Sequence, residues 1–232
     1  MWAESTGAIS EEIAQEHELS STMSRIGSRV GPFQLESLIS GGGGVSLYRA
    51  IRPEGSREPR VVAIRTADTQ GDPAASAVIR NEYEVLRHLN DNRIPRTHGF
   101  YASQPALSIS HYEGVSLTDI IRLWQDGSLK LDIATAIDIL MEVAQALRSA
   151  HSTKREGVPI VHGHLSAGQI LLAPNGRVIV HGFGASPRGT FAAYTPPEQA
   201  AAAFLDARSD QWTLGAIGVE MVLGERLYTG VS

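Results

Sequence analysis

The chain has 232 residues, of which 42% are hydrophobic and 19% are charged. This composition is typical of a globular protein and excludes a wholly disordered chain or a coiled-coil rod. The formal net charge of -5 argues against nucleic acid as the main partner, because phosphate binding needs a basic face, and the absence of cysteine excludes disulfides, thiolate zinc sites and cysteine nucleophiles.

The first 31 residues are polar and mixed in composition. Their apolar pattern is limited to residues such as Ile9 and Ile13, one helical turn apart among several glutamates. So little apolar surface does not offset the entropy that is lost when a segment becomes ordered. We therefore predict that residues 1–31 form a disordered N-terminal arm.

Residues 33–110 have the pattern of a small β-rich region with one helix. Alternating apolar residues on both sides of the glycine run 41–44 predict a hairpin, and the β-branched run 61–64 predicts a buried strand. Asp72 followed by Pro73 predicts the N-cap and the first position of a helix. Two further strands are predicted near Thr97–Tyr101 and Ala106–Ser110.

The second half of the chain is predicted to be mainly helical. Two short apolar runs, 170–172 and 178–180, flank an Asn-Gly turn signal and predict a β-hairpin. The last helix, about 209–223, is apolar nearly all round, so it is expected to be buried. Apolar residues three or four positions apart predict a long helix over residues 131–151, with this buried face: Ile133, Ile137, Leu140, Ala144, Leu147 and His151.

Several motifs in this order resemble the successive motifs of bacterial serine/threonine protein kinases, over about residues 33–230. They are the glycine-rich hairpin, VVAIR, the acidic helix, HGHLSAGQILL followed by VIVHGFG, GTFAAYTPPEQ, and RSDQWTLGAIGVEMVLGERLY. The run 160–184 is most similar to kinases of myxobacterial type. The resemblance implies an α+β, bilobal protein-kinase-like fold. Its small β-rich N-lobe contains one helix, and its mainly helical C-lobe is truncated after the long central helix.

The resemblance also implies domain limits: after the arm 1–31, residues 32–110 are the N-lobe, 111–114 the hinge and 115–232 an incomplete C-lobe. The family continues with three more helices that cover the last one, so an exposed apolar surface is expected on the helix 209–223. Glu198 and Asp210 match residues that brace the lower lobe in the family. Asp210 is expected to accept hydrogen bonds from loop amides.

The family's lysine that grips the α- and β-phosphates corresponds to Arg65 in this chain. Arginine keeps the positive charge, but its planar fork is longer and wider than an ammonium group. Glu82, 17 residues further on, is the expected partner of Arg65. Two interpretations stay open: an ion pair that holds strand and helix together, or a contact between Arg65 and a phosphate.

The catalytic-loop motif of the family corresponds to residues 162–169. His164 occupies the place of the aspartate that accepts the substrate proton. A neutral imidazole can act as a base, but His164 could also be a loop residue that hydrogen-bonds the backbone. Ser166 stands in place of a phosphate-side lysine, and Gln169 in place of an asparagine that binds metal.

The family's metal-binding aspartate corresponds to Gly182, which has no side chain to hold magnesium. We therefore predict no metal site. The three histidines His162, His164 and His181 have no carboxylate at ligand spacing, so a zinc or nickel site built on them is not expected either.

A vestigial nucleotide cleft is implied by the resemblance. Its glycine loop does not follow the family's glycine spacing, although its amides could still meet an anion, and the backbone of the hinge could still meet adenine. No cofactor is required, and ATP or ADP would bind weakly without magnesium. The cleft residues are Gly41, Gly42, Gly43, Gly44, Ala63, Arg65, Ser110 and Tyr112.

Together these substitutions predict a pseudokinase: not an enzyme, but a signalling scaffold or allosteric regulator that binds other proteins, such as an active kinase or its substrate. Two alternatives stay open, a weak or unconventional ATP-dependent serine/threonine phosphotransferase and a nucleotide-sensing module that works without magnesium. The lack of a secretory signal pattern and of an apolar run of about 20 residues predicts a cytoplasmic protein without a membrane span.

Overall fold

The computed structural model describes residues 25–52, 60–185 and 192–226. Residues 1–24 of the predicted arm and residues 227–232 of the predicted C-lobe lie outside the described residues. The chain divides into two compact units. Unit 1 consists of Met1–Arg80 and His98–His111, and unit 2 consists of Asn81–Thr97 and Tyr112–Ser232.

Unit 1 is built on a six-stranded sheet with strand order β1-β2-β3-β4-β6-β5. The glycines at the tip of the β2–β3 hairpin, Gly43 and Gly44, have φ angles of 67° and 82°. Such angles favour glycine and suit a two-residue hairpin turn, so the glycine run closes the hairpin as predicted. The strands are β1 (Arg29–Val30), β2 (Phe33–Gly42), β3 (Val45–Ile51), β4 (Val61–Ala67), β5 (Thr97–Tyr101) and β6 (Ala106–Ser110).

Strand β1 lies in the range that the sequence analysis assigned to the N-terminal arm. It pairs with the start of β2, where Val30 lies opposite Phe33, and both side chains are fully buried. A two-residue strand is too short to show a periodicity, so the sequence pattern could not reveal it.

The two faces of this sheet differ in composition because side chains alternate along each strand. One face forms the core of unit 1, with Tyr48, Val62 and Ile64 fully buried. The opposite face carries Ala63 and Arg65, which lie next to Ile109 and Leu107 of β6. Two of the predicted nucleotide-cleft residues, Ala63 and Arg65, therefore share one face.

Several helices begin at N-caps that follow from their sequence. Asp72 accepts hydrogen bonds from Ala74 N at 2.8 Å and Ala75 N at 3.2 Å, which confirms the predicted start of the first helix. The helix at 117–125, which the sequence analysis missed, begins after Ser116, whose hydroxyl accepts from Asp119 N. The long helix begins after Asp132, and the helices are α1 (Pro73–Leu86), α2 (Leu117–Gln125), α3 (Ile133–Ser152), α4 (Pro197–Ala200) and α5 (Ala207–Leu223).

Unit 2 also contains short strands: β7 (Val115–Ser116), β8 (Lys154–Arg155), β9 (Val158–Pro159), β10 (Ile170–Leu172) and β11 (Val178–Val180). The antiparallel pair β10–β11 confirms the predicted hairpin, and β7 adds to its other edge. In the part of the chain that the structure describes, no helix combines the length and the hydropathy of a membrane-spanning segment.

The predicted buried face of α3 is wrong at Ile133 and Ile137, which are 63% and 50% exposed, and correct at Leu147, which is buried. Ile139 and Val143 are buried instead of the two exposed isoleucines. The helix carries two apolar stripes, and the one that packs inside includes small residues that allow close approach of neighbouring elements. The sequence analysis followed the three- and four-residue spacing from Ile133 and therefore chose the other stripe at the start of the helix. Helix α5 is likewise only partly covered, because Val222 and Leu223 are 46% and 66% exposed, as the resemblance implied.

Candidate active site

Asp210, on α5, anchors the loop that carries the predicted catalytic positions. Its carboxylate is 1% exposed and accepts hydrogen bonds from the backbone amides of His162 and Gly163, both at 2.8 Å. The Nε2 atom of His151 lies 2.7 Å from the same carboxylate. Burial alone would raise the pKa of Asp210, but these hydrogen bonds and the neighbouring imidazoles hold its pKa below the ordinary value. The prediction that Asp210 accepts loop amides is confirmed.

His162 joins this loop to the segment after β11. Its ring is buried and lies 3.1 Å from the carbonyl oxygen of His181 through Nε2, while Nδ1 lies 3.4 Å from the backbone nitrogen of His164. These partners assign the proton to Nε2, which donates, and leave Nδ1 to accept. Burial lowers the pKa of His162, so the ring is neutral near pH 7. The ring also packs on Phe183, with centroids 4.6 Å apart.

His164 directly follows His162 and Gly163, the two residues whose amides Asp210 holds, and it is only half-buried. Its ring makes no hydrogen bond to another described residue. Burial lowers the pKa of His164, and the charge of Asp210 opposes this shift only in part. The imidazole is therefore neutral near pH 7 and retains a lone pair that can accept a proton.

Gln169 and Gly182 occupy adjacent space. A Cβ atom built on Gly182 would lie 2.8 Å from the side-chain nitrogen of Gln169, and Gly182 has a φ of +93°. The Ser166 hydroxyl lies 3.4 Å from Oε1 of Gln169 and donates to it, and the backbone nitrogen of His181 donates to the carbonyl oxygen of Gln169 at 3.0 Å. The longer side chain of Gln169 thus fills the space next to a residue that has no side chain.

The predicted cleft residues of unit 1 lie on its sheet and hairpin, and their role in nucleotide binding stays a prediction. Arg65 is partly exposed on β4, and Ala63 is 2% exposed. Ser110 ends β6, and its hydroxyl lies 3.1 Å from Nε2 of His98. Gly41 and Gly42 lie at the end of β2.

Glu82, the predicted partner of Arg65, is fully buried on α1. Glu82 and Arg65 belong to different units, so their ion pair stays a prediction. Tyr112 belongs to unit 2, where the guanidinium of Arg177 lies 5.3 Å from its ring centroid. Glu198 accepts a hydrogen bond from the hydroxyl of Ser209.

Sequence reasoning missed the part that His151 takes in the anchor. The helix pattern placed His151 on an apolar face, but its ring lies against the Asp210 carboxylate. The two residues are 59 positions apart, so no local pattern could pair them. The only sequence signal was a histidine at the end of an apolar helix, which is more often a packing residue.

Comparison with known proteins gives the family. A family model described as the protein kinase domain matches residues 33–232. The chain belongs to the protein kinase family. The solved kinase domain of PknI from Mycobacterium tuberculosis superposes with a TM-score of 0.69 at 20% identity, covering 88% of this chain and 78% of that one. The predicted fold, a β-rich N-lobe and a mainly helical C-lobe, is confirmed.

Curated relatives of this kinase domain are bacterial. The serine/threonine-protein kinase PknA of Mycobacterium tuberculosis is 28% identical over 222 residues, which are 86% of this chain and 48% of the relative. The serine/threonine-protein kinase PknB of Mycolicibacterium smegmatis is 28% identical over 215 residues, which are 84% of this chain and 33% of the relative. The chain thus spans half or less of the length of these relatives. The resemblance to kinases of myxobacterial type stays a prediction.

These relatives overturn the prediction that the chain is not an enzyme. The proteins that it matches are named serine/threonine-protein kinases, so its family points to an enzyme. The prediction rested on substituted side chains alone. A substitution changes the groups that a site offers, but the groups that remain can still support chemistry.

The side chains present do not fit the magnesium ion that the family implies. Magnesium prefers carboxylate and other oxygen ligands in octahedral geometry. At the two positions that hold the metal in the family, Gly182 offers no side chain, and the oxygen of Gln169 accepts from Ser166. Among the described residues, no group of three or more histidines, aspartates and glutamates could hold a metal ion.

Proposed function

We propose that this kinase domain is an unconventional serine/threonine phosphotransferase that moves the terminal phosphoryl group of ATP to a hydroxyl group of a protein. The imidazole of His164 accepts the proton of that hydroxyl. The oxygen of the hydroxyl forms a bond to phosphorus, the bond to the ADP oxygen breaks, and the proton passes to His164. The proposal keeps the reaction of the named relatives and changes the group that serves as base.

The observation that supports the proposal is the environment of His164. Asp210 fixes the backbone of the two residues before His164, so the loop is held there while both ring nitrogens of His164 stay available. Its pKa lies below the ordinary value, so the basic form dominates near pH 7. A base with a pKa near the working pH is the most effective kind for proton transfer.

The expected rate is low. A general base contributes about 10²–10⁴-fold to a rate, and His164 can supply this contribution. The loss of one electrostatic stabiliser commonly costs about 10²–10³-fold. The side chains that hold a metal in the family are replaced by Gln169 and Gly182, so their stabilisation of the phosphates is missing.

Radiolabelled ATP tests the proposal, with autophosphorylation and casein phosphorylation as readouts and phosphoamino-acid analysis to identify the product. Wild-type protein should incorporate label into serine or threonine, and His164→Ala should reduce incorporation by at least about tenfold. His88→Ala is the matched control, because His88 is an exposed histidine of unit 2 outside this loop. Incorporation that is absent from wild type, or unchanged in His164→Ala, would overturn the proposal.

A second candidate function is protein docking, and an apolar groove between α3 and α5 favours it. The groove has a volume of about 780 Å³. Small residues contribute to its lining, including Ala144, Gly215 and Gly218, and no charged side chain lines it. Ile133, Ile137 and Met141 form an exposed apolar ridge along α3, with exposures of 50% or more.

The scaffold and regulatory roles would use such a surface, and they stay predictions. A cytoplasmic location and the absence of nucleic-acid binding also stay predictions.

A further inference from the structure

Two positions that hold a cation in the kinase family are occupied by Gln169 and Gly182 in this chain. Of the two, only Gln169 has a side chain, and its amide can donate hydrogen bonds. The side chain of Gln169 offers one oxygen and one NH₂ group. The hydroxyl of Ser166 lies 3.4 Å from the oxygen and donates to it. This contact orients the amide so that the NH₂ group lies next to Gly182.

The two substitutions depend on each other. A side chain on Gly182 would meet the nitrogen of Gln169 at 2.8 Å and its Cδ atom at 3.3 Å. A carboxylate at this position would therefore compete for the space that the amide now takes. The backbone nitrogen of His181 donates to the backbone oxygen of Gln169 and ties the two segments together. Gln169 and Gly182 thus pack together in a way that fills the space of the family's metal ligands.

We propose that this site binds the phosphate oxygens of a nucleoside triphosphate directly through the side-chain NH₂ group of Gln169, with no divalent cation between them. This inference deepens the proposed function and rests on it, because it concerns the same nucleotide. An amide NH₂ group donates to an anionic oxygen and cannot serve as a ligand of a cation. Magnesium then has no side chain that would hold it here and brings no gain in affinity.

The charges around the site set the strength of this binding. The imidazoles of His162 and His164 in the same loop are neutral near pH 7, so they neither attract nor repel a phosphate strongly. Asp210 is buried, and its carboxylate is already hydrogen-bonded to the ring of His151 and to the amides of His162 and Gly163. Neutral hydrogen-bond donors alone give modest affinity for a phosphate. We therefore expect the nucleoside triphosphate to bind weakly, with an affinity that does not depend on magnesium.

Isothermal titration with ATP, in EDTA and in excess magnesium, tests this inference on the full chain. Wild-type protein should bind with the same dissociation constant in both solutions, within about twofold. Gln169→Glu keeps the shape of the side chain and replaces the donor by an acceptor. It should weaken binding in EDTA by at least about tenfold, because a hydrogen bond to a charged group is lost and a repulsion is added. Magnesium should then restore part of the affinity.

Two further variants show whether an effect of Gln169→Glu comes from the lost donor, from the added charge or from a change in folding. Gln169→Leu removes the donor without adding charge, so it should weaken binding equally in EDTA and in magnesium. Gln34→Glu makes the same exchange at an exposed position of β2 and should bind as wild type does. Melting curves of all variants check that each one is folded.

The outcomes distinguish this inference from the proposed function. Wild-type binding that requires magnesium, or Gln169→Glu binding ATP in EDTA as wild type does, would overturn the inference and leave the phosphotransferase proposal standing. A complete absence of ATP binding in both solutions would overturn both.

Discussion

Two groups of residues at the catalytic loop 162–169 have different relations to the kinase family. The anchoring part consists of Asp210, His151 and the amides of His162 and Gly163. It is buried and joined by hydrogen bonds of 2.7–2.8 Å. The reacting part consists of His164, Gln169 and Gly182, and each of these residues differs from the side chain that the family's motif has at its place.

This difference indicates that the anchoring part contributes to stability and the reacting part to the chemistry of the site. Removing a member of the anchor leaves a buried charge or amide without a partner, so any substitution there carries a large cost in stability. In the reacting part His164 and Gln169 are only half-buried, so their side chains can change without unfolding the loop. Fold and chemistry are therefore expected to be separable in this domain, and three variants test that separation.

The largest effect on stability is expected for Asp210→Ala. It leaves His151 and the two loop amides without their acceptor in a buried site, which should cost about 3–5 kcal/mol of the free energy of unfolding. Urea denaturation measures this cost. Asp138→Ala, at an exposed position of α3, is the matched control and should change the free energy by less than about 0.5 kcal/mol. A cost for Asp210→Ala as small as that of the control would show that the anchor does not hold the loop.

A smaller effect is expected for His151→Ala, which removes one hydrogen bond and leaves both amides on Asp210. A hydrogen bond to a charged group contributes about 1.5–3 kcal/mol, and the free energy of unfolding should fall by that amount. His88→Ala again serves as the control. If His151→Ala is as costly as Asp210→Ala, the imidazole rather than the amides carries the anchor.

The smallest effect is expected for Gly182→Ala in the reacting part. The φ of +93° disfavours any residue with a Cβ atom and should cost about 1 kcal/mol. Contact with Gln169 adds to this cost, so the same substitution should be less costly in a Gln169→Ala background, by about 0.5 kcal/mol or more. Strictly additive costs would show that Gln169 and Gly182 are not packed against each other.

Much of the fold could be predicted from the sequence because its signals are local. The cap at Asp72, the glycine turn at Gly43–Gly44 and the Asn-Gly turn between β10 and β11 each determine their own structure within a few residues. The orientation of α3 could not be predicted in this way. Ile133 and Ile139 are equally apolar, and only the neighbouring elements decide which one is buried.

The candidate site also has features that the sequence predicts and features that only the structure shows. The substituted positions Arg65, His164, Gln169 and Gly182 could be located by motif, but the motif gave no information on what fills the space that a lost side chain leaves. The contact between Gln169 and Gly182 joins residues 13 positions apart through the hairpin geometry. The prediction that the chain is not an enzyme failed for a related reason, since it counted lost groups and gave little weight to those that remain.

The dependence of phosphoryl transfer on pH tests most directly whether the reacting part carries the chemistry. A base must be unprotonated, and the pKa of His164 lies below its ordinary value of 6.5. The rate should therefore be constant from pH 8 to about pH 6.5 and should fall at lower pH as the imidazole becomes protonated. His164→Ala should retain a small rate without this decline. A wild-type decline centred above about pH 6.5, or an identical decline in His164→Ala, would contradict the account.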